Sequence, residues 1–356
     1  MLRIRPSSLV FIPMKTSYRR VLAVIAACVA GFGSLSVRGA ETPYRFIKEI
    51  PVGGDGGWDY LSVDAGARRL YVSHATKVVV IDIDKNEVVG EIGDTPGIHG
   101  VALAPELKRG FTSNGRENKA GIVDLETLKT LSKVDTGANP DGMLYEPGRQ
   151  EVYMFNGRGQ SATVIDAKAG KVVATVPLGG KPEFAAADSK AGRVYNNLED
   201  KSEVVAIDTQ THAVVNRWPI APGEEASGMA FDVQNHRLFL GCGNKLMVMM
   251  DSTTGKVVAS VPIGDGVDAN SFDPATKLAF ASCGDGTVTI AKEETPDKLT
   301  VVQTLKTTQG ARTMTIDPKT HRIYLGAASY LAAASGAKGR PQMVPGSFKI
   351  LVYGAE

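Results

Sequence analysis

Residues 229–261 read MAFDVQNHRLFLGCGNKLMVMMDSTTGKVVASV. Four runs rich in large apolar and β-branched residues, 229–231, 237–240, 245–250 and 256–261, are parted by polar breaks at 232–236, Gly243-Asn244 and Thr253-Thr254-Gly255. Apolar runs of strand length between Gly, Asn, Asp and Thr are the pattern of stacked hairpins. The phrase is not unique. Outward from it, an aromatic residue opens a similar run at Tyr71, Phe111, Tyr153, Tyr195, Phe239, Phe280 and Tyr324, with spacings of 40, 42, 42, 44, 41 and 44. A second ruler, an acid that closes an apolar run, falls at Asp82, Asp124, Asp166, Asp208 and Asp251, spaced 42, 42, 42 and 43. Four-stranded units at a period of about 40–45 residues are β-propeller blades.

The chain ends supply the closure. After Tyr324 one further strand is visible, at 348–353, so the seventh copy lacks its outermost strand. Residues 45–50, followed by Pro51-Val52-Gly53-Gly54, resemble the outer-strand phrase 171–176 with its Pro177-Leu178-Gly179-Gly180. The N-terminal strand is therefore expected to complete blade 7, which pairs two edges that would otherwise be open to aggregation. The fold class that follows is all-β: a single seven-bladed β-propeller over residues 44–356, four strands to a blade.

Tyr71-Val72-Ser73-His74, Phe111-Thr112-Ser113-Asn114 and the stretch 164–176, with its VID and GKVVATV, resemble the YVTN-repeat β-propeller family. The resemblance covers nearly all of 44–356. It implies the propeller fold and an exported or surface protein; roles in that family are diverse, some in binding and others beside redox enzymes, so it does not settle function.

Residues 1–40 carry six basic residues and no acid, and Tyr18-Arg19-Arg20 precedes the apolar run VLAVIAACVA at 21–30. Basic, then apolar, then small residues form an export signal, so the expected location is periplasmic or otherwise exported. Cleavage near Val37-Arg38-Gly39-Ala40 would release a soluble product. Ile25-Ala26-Ala27-Cys28 also fits a lipoprotein box, which would tether the protein by a lipid anchor on Cys28. No later stretch reaches the ~18 apolar residues that span a bilayer. Without the leader the chain has 34 basic and 38 acidic residues, a net charge of −4, which counts against a nucleic-acid binder working by phosphate neutralisation.

Lettering the strands A to D from the axis outward, the start of each A strand lines the channel mouth on the face that also carries the B–C loops, here the top face. Aligned copies put Asp59, His99, Asp141, Glu183, Ser227, Asp268 and Arg312 at that position. Carboxylates and an imidazole converging on one axis suit a polar ligand or a divalent cation, with Asp59, His99, Glu183 and Asp268 as expected metal ligands and Arg312 paired with Asp268. The last place of the repeated phrase reads His74, Asn114, Asn156, Leu198, Cys242, Cys283 and Ala327; His74, on the same face as His99, either shares a ligand, proton or metal with it or is a surface turn histidine. Trp58, after the lead-in Gly53-Gly54-Asp55-Gly56-Gly57, either stacks a ligand or wedges blades 1 and 2. The long blade 7 B–C connection, 327–347, would carry Tyr330 and Arg340 across the mouth as a flap. Cys242 and Cys283 read as buried free thiols, with a disulfide or a thiolate site as alternatives. His212, His236 and His321 fall in turns on the opposite face and read as structural.

Two functions fit. The preferred one is a non-catalytic binding module that presents its polar axial face to a small ligand or a protein partner. The alternative is a metal-assisted lyase or hydrolase acting on a lactone or carbohydrate-like substrate, with His99 as its general base. There is no Gly-rich phosphate loop, haem-attachment motif or serine nucleophile elbow.

Overall fold

The computed structural model describes residues 43–331 and 342–355; the leader, Cys28 and Arg340 lie outside them. Seven four-stranded antiparallel sheets follow one another along the chain. Blade 1 consists of Trp58–Asp64, Arg69–His74, Lys77–Asp82 and Glu87–Ile92. The first strands of successive blades touch around a ring, and Trp58–Asp64 closes it against Met314–Ile316 of blade 7. Blade 7 pairs in the order Arg45–Pro51, Lys349–Gly354, Ile323–Ala327, Met314–Ile316. The N-terminal strand is thus the outer strand, in antiparallel register with Ile50 opposite Ile350. Tyr44 locks it from below, its hydroxyl donating to the His321 carbonyl at 2.6 Å. Helix among the described residues amounts to two single 3-10 turns, Pro105–Leu107 and Glu199–Lys201.

Burial explains both sequence rulers. The B strands are covered on both faces by neighbouring blades, and Glu151–Asn156, Arg237–Cys242 and Leu278–Cys283 are buried at every position. A strand buried on both faces reads as a near-continuous apolar run, here with Glu151, Asn156 and Arg237 at strand ends; the outer strand Lys171–Pro177 is largely exposed. All seven aromatic anchors are 2% exposed or less, because each fills the wedge between two blades. Tyr71, for example, packs with Ile98, Val101 and Val123 of blade 2. The acid ruler sits at the C–D turn: Asp208 Oδ1 accepts the Gln210 and Thr211 amides at 3.0 and 2.8 Å, and Asp124 and Asp251 do likewise in their own blades. A carboxylate that satisfies two amides of a tight turn is the physical reason for its recurrence. Asp82 does the same for Asp84 and Lys85, so 82–86 is a hairpin turn.

Candidate functional site

Six of the seven A strands carry a β-bulge at their start, where the pairing with the B strand shifts register: between Trp58 and Leu61, Ile98 and Val101, Pro140 and Met143, Pro182 and Ala185, Ala226 and Met229, and Val267 and Ala269. Asp59, His99, Asp141, Glu183, Ser227 and Asp268 all fall inside these bulges. A bulge leaves residues unpaired and re-aims their side chains, which is how a strand start delivers a polar group to the axis. The repeated phrase holds the bulges in place. Ser73 Oγ accepts the Asp59 amide at 2.9 Å and Ser113 Oγ the Gly100 amide at 3.1 Å. Asn197 donates to the Ser227 and Gly228 carbonyls at 2.9 and 3.1 Å, and Ser282 to the Arg312 carbonyl.

The ring is not uniform. His99 Nδ1 lies 2.8 Å from Asp59 Oδ2 and 3.2 Å from Asp141 Oδ1. With both carboxylates ionised they can only accept, so Nδ1 carries the proton. Lys181 bridges Glu183, at 2.7 Å, and Glu199. The Arg312 guanidinium is 3.3 Å from Asp268 Oδ2, and the Ser227 hydroxyl is 3.4 Å from Asp268 Oδ1. The Arg312–Asp268 pair is thereby present as expected. The expected metal set is not assembled as such. The ligand atoms that lie within 4.8 Å of one another belong to Asp59, His99 and Asp141, on three consecutive blades. Glu183 and Asp268 stand further round the ring and are tied to Lys181 and Arg312.

These carboxyls are half-buried among like charges, and all are shifted the same way. Burial, and behind it Asp59, push Asp141 up to about 6 against the pull of His99. Burial and Asp141 push Glu183 up to about 8 despite Lys181. Burial also raises Asp59 and Asp268, against His99 and Arg312 respectively. For His99, burial acts to lower the pKa, but the hydrogen bond to Asp59 and the charges of Asp141 and Glu183 more than reverse it.

Directly after each ring residue comes a second row: Tyr60, Gly100, Gly142, Phe184, Gly228, Ala269 and Thr313. Its two aromatic members reach across from blades 1 and 4 and stack, ring centroids 4.4 Å apart at 27°. The glycines make room. A Cβ on Gly100 would stand 2.7 Å from Tyr60 Cβ, and one on Gly142 would stand 2.7 Å from the Glu183 carbonyl and 3.3 Å from the Tyr60 hydroxyl. The axial site is therefore a cup with an aromatic floor. The Tyr60 hydroxyl is buried without a hydrogen-bond partner, and the charges of Asp141, Glu183, Asp59 and Asp268, added to burial, hold its proton on. Tyr60, Phe184 and Lys181 are the residues that sequence reading missed. Their available signal was a repeat position that is Gly or small in some blades and aromatic in two non-adjacent ones.

Other expected site residues lie elsewhere. His74 is 1% exposed, stacked on Phe348 at 4.4 Å and 6°, with neither ring nitrogen hydrogen-bonded. It is covered by Gly54, where a Cβ would come 2.9 Å from Nε2, and it does not belong to the Asp59–His99–Asp141 group. Burial keeps its pKa low. The expectation that His74 and His99 share a ligand is corrected: the apolar wedge between blades 1 and 7 claims the ring. Trp58 occupies the same wedge, stacked on Phe348 at 4.8 Å and pressed against Gly326, so it joins blades 1 and 7 and not 1 and 2. Tyr330 is 39% exposed, bridges to Met343 and stands over Gly310, two residues before Arg312; it belongs to the blade 7 rim. Cys242 and Cys283 are free and buried, and burial pushes both thiols up to about 12. His212, His236 and His321 each face a carboxylate of a neighbouring blade, at 3.0 Å from Glu151, 3.6 Å from Asp188 and 2.8 Å from Asp273.

No family model and no curated protein matches the chain. Among solved structures it is similar to a chain of Kuenenia stuttgartiensis hydrazine synthase, with a TM-score of 0.67 and 17% identity over 79% of this chain and 96% of that one. At that identity the likeness is one of fold: this chain is built on the β-propeller scaffold.

Proposed function

We propose that this chain is an exported binding module whose top-face cup takes a small, positively charged ligand. One observation carries the reading. Four half-buried carboxylates and Glu199 share an aromatic-floored cup with only His99, Lys181 and Arg312 to balance them. Burying like charges costs free energy unless a counter-charge is supplied, and the acid pKa values are raised accordingly. The leader at 1–40 supports export, and the net charge of −4 beyond it turns nucleic acid away. A protein partner would reach the cup by inserting a basic side chain.

The test is calorimetric titration of the mature chain with zinc, manganese and 1,4-diaminobutane. Binding of at least one probe, lost in an Asp59→Asn/Asp141→Asn/Asp268→Asn variant that still folds, is the expected result. Equal binding by that variant would overturn the axial reading. Cell fractionation with intact-mass measurement tests export and shows whether Cys28 is lipidated.

The Asp59–His99–Asp141 triple also favours a second reading, a metal-assisted lyase or hydrolase. His99 Nδ1 is taken up by the carboxylates, which leaves Nε2 to act as the base. That nitrogen lies on the side of Gly115, where a Cβ would sit 2.8 Å from it. Turnover of a lactone or an activated sugar that vanishes in His99→Gln would promote this reading over the first.

A further inference from the structure

Resting on the reading of the cup as a binding site, we infer that Asp59, His99 and Asp141 form a three-ligand seat for a divalent first-row transition-metal cation, with its remaining positions open to the cup. Geometry comes first. Ligand atoms held at about 2.0–2.2 Å from one cation lie about 2.8–3.6 Å from each other in tetrahedral or octahedral arrangements. The His99 Nδ1 distances of 2.8 and 3.2 Å to the two carboxylate oxygens fall in that range, and all three ligand atoms lie within 4.8 Å of one another. The side chains are already convergent, so a cation has little reorganisation to impose.

Donor chemistry then selects the ion. One imidazole and two carboxylates form a borderline-hard set, matched to zinc, manganese or ferrous iron. Calcium and magnesium prefer all-oxygen shells, and the thiols that would draw a softer ion are buried in other wedges. Three protein ligands leave at least one coordination position unfilled, which is the pattern of sites that bind a further molecule and not of closed structural sites. Charge fits as well. When the cation takes Nδ1, the proton now shared with the carboxylates leaves to solvent, and the cation's two positive charges meet the two carboxylates.

A second observation, independent of the acids, lies on the floor. The Tyr60 hydroxyl is buried with no hydrogen-bond partner, an arrangement that costs free energy in an otherwise satisfied interior. It stands among the carboxylates that would bind the ion and beside Gly142, where a Cβ would come 3.3 Å from it. A water or ligand oxygen on the cation supplies the missing partner. The cup then recognises a small molecule with an oxygen donor for the metal and a negative group for the half-exposed Arg312, so the ligand class is a hydroxy- or keto-carboxylate.

The test uses the full mature chain, stripped with chelator and titrated with zinc by calorimetry and with manganese by electron paramagnetic resonance. The expected result is one ion per chain, weakened at least 100-fold in both His99→Gln and Asp141→Asn and changed less than threefold in Asp135→Asn, an exposed acid of an outer strand. Circular dichroism and melting confirm that each variant folds. Zinc bound as tightly by His99→Gln as by the parent would overturn the seat and leave the wider cup reading standing. So would binding of 1,4-diaminobutane without any metal. No binding of metal or diamine would overturn both.

Discussion

Carboxylates ring both ends of this propeller, and they are treated in opposite ways. On the bottom face, the acid that ends an A strand caps its own turn and accepts a base from the next blade. Asp317, fully buried, takes the Lys319 amide at 3.1 Å, the Thr320 hydroxyl at 2.7 Å and the Arg68 guanidinium at 2.9 Å. Asp273 takes the Ala275 amide, the Thr276 hydroxyl and His321. Arg68, His236 and His321 occupy the same turn position, with φ of 56, 56 and 60°, so the latch between blades is itself part of the repeat. On the top face, Asp59 and Asp141 share one imidazole nitrogen, Glu183 and Glu199 share one lysine, and Asp268 leans on a half-exposed arginine. One ring holds blades together; the other leaves negative charge unmatched at the axis. Similar residue types are neutralised or left with unmatched charge according to how many partners the neighbouring blade supplies.

The comparison can be broken at its strongest point first. Arg68→Ala leaves Asp317 buried and unpaired, a loss of about 3–5 kcal/mol in stability, whereas Asp268→Asn at the top is expected to leave stability unchanged or raise it. Chemical denaturation of both variants decides the matter; equal losses would mean the two rings are alike. The floor comes next. Phe184→Ala removes half of the stacked pair and should cost about 2–4 kcal/mol, while Tyr60→Phe, which deletes an orphaned hydroxyl, should stabilise the chain by about 1 kcal/mol and weaken zinc binding.

pH sharpens the contrast further. Asp141 and Glu183 have folded pKa values raised to about 6 and about 8. A raised carboxyl contributes stability that is complete below its unfolded pKa and lost as pH climbs through the folded value. In metal-free buffer the melting temperature should therefore fall between pH 5 and 8.5, with a flatter profile in Asp141→Asn/Glu183→Gln. The smallest effect is expected at a like-charge pair of the bottom face, Glu293 and Asp232. Burial, with Asp232 beside it, lifts Glu293 to about 7, so Glu293→Gln should be neutral at pH 5 and slightly stabilising at pH 8.

Much of this was legible in the chain. The aromatic ruler registers the wedges between blades and the acid ruler the C–D turns, because each unit meets the same packing and turn demands. The Arg312–Asp268 pair and the structural role of the bottom-face histidines followed from position in the repeat. Alignment of the copies also found the axial row, since bulges recur at the same place as the strands they interrupt.

What alignment could not give was distance around the ring. It offered Asp59, His99, Glu183 and Asp268 as one metal set, whereas only consecutive blades bring ligand atoms within reach, and Asp141 completes the triple. Nor could it show that His74 and Trp58 turn into the apolar wedge against Phe348, a residue nearly three hundred positions away in the chain. The fold, its seven units and its ring closure were determined by the sequence alone, because repetition turns local pairing preferences into a closed architecture. The partners at the axis, and the cup that Tyr60 and Phe184 floor from non-adjacent blades, were decided by tertiary structure, because closing the ring is what brings those side chains into contact.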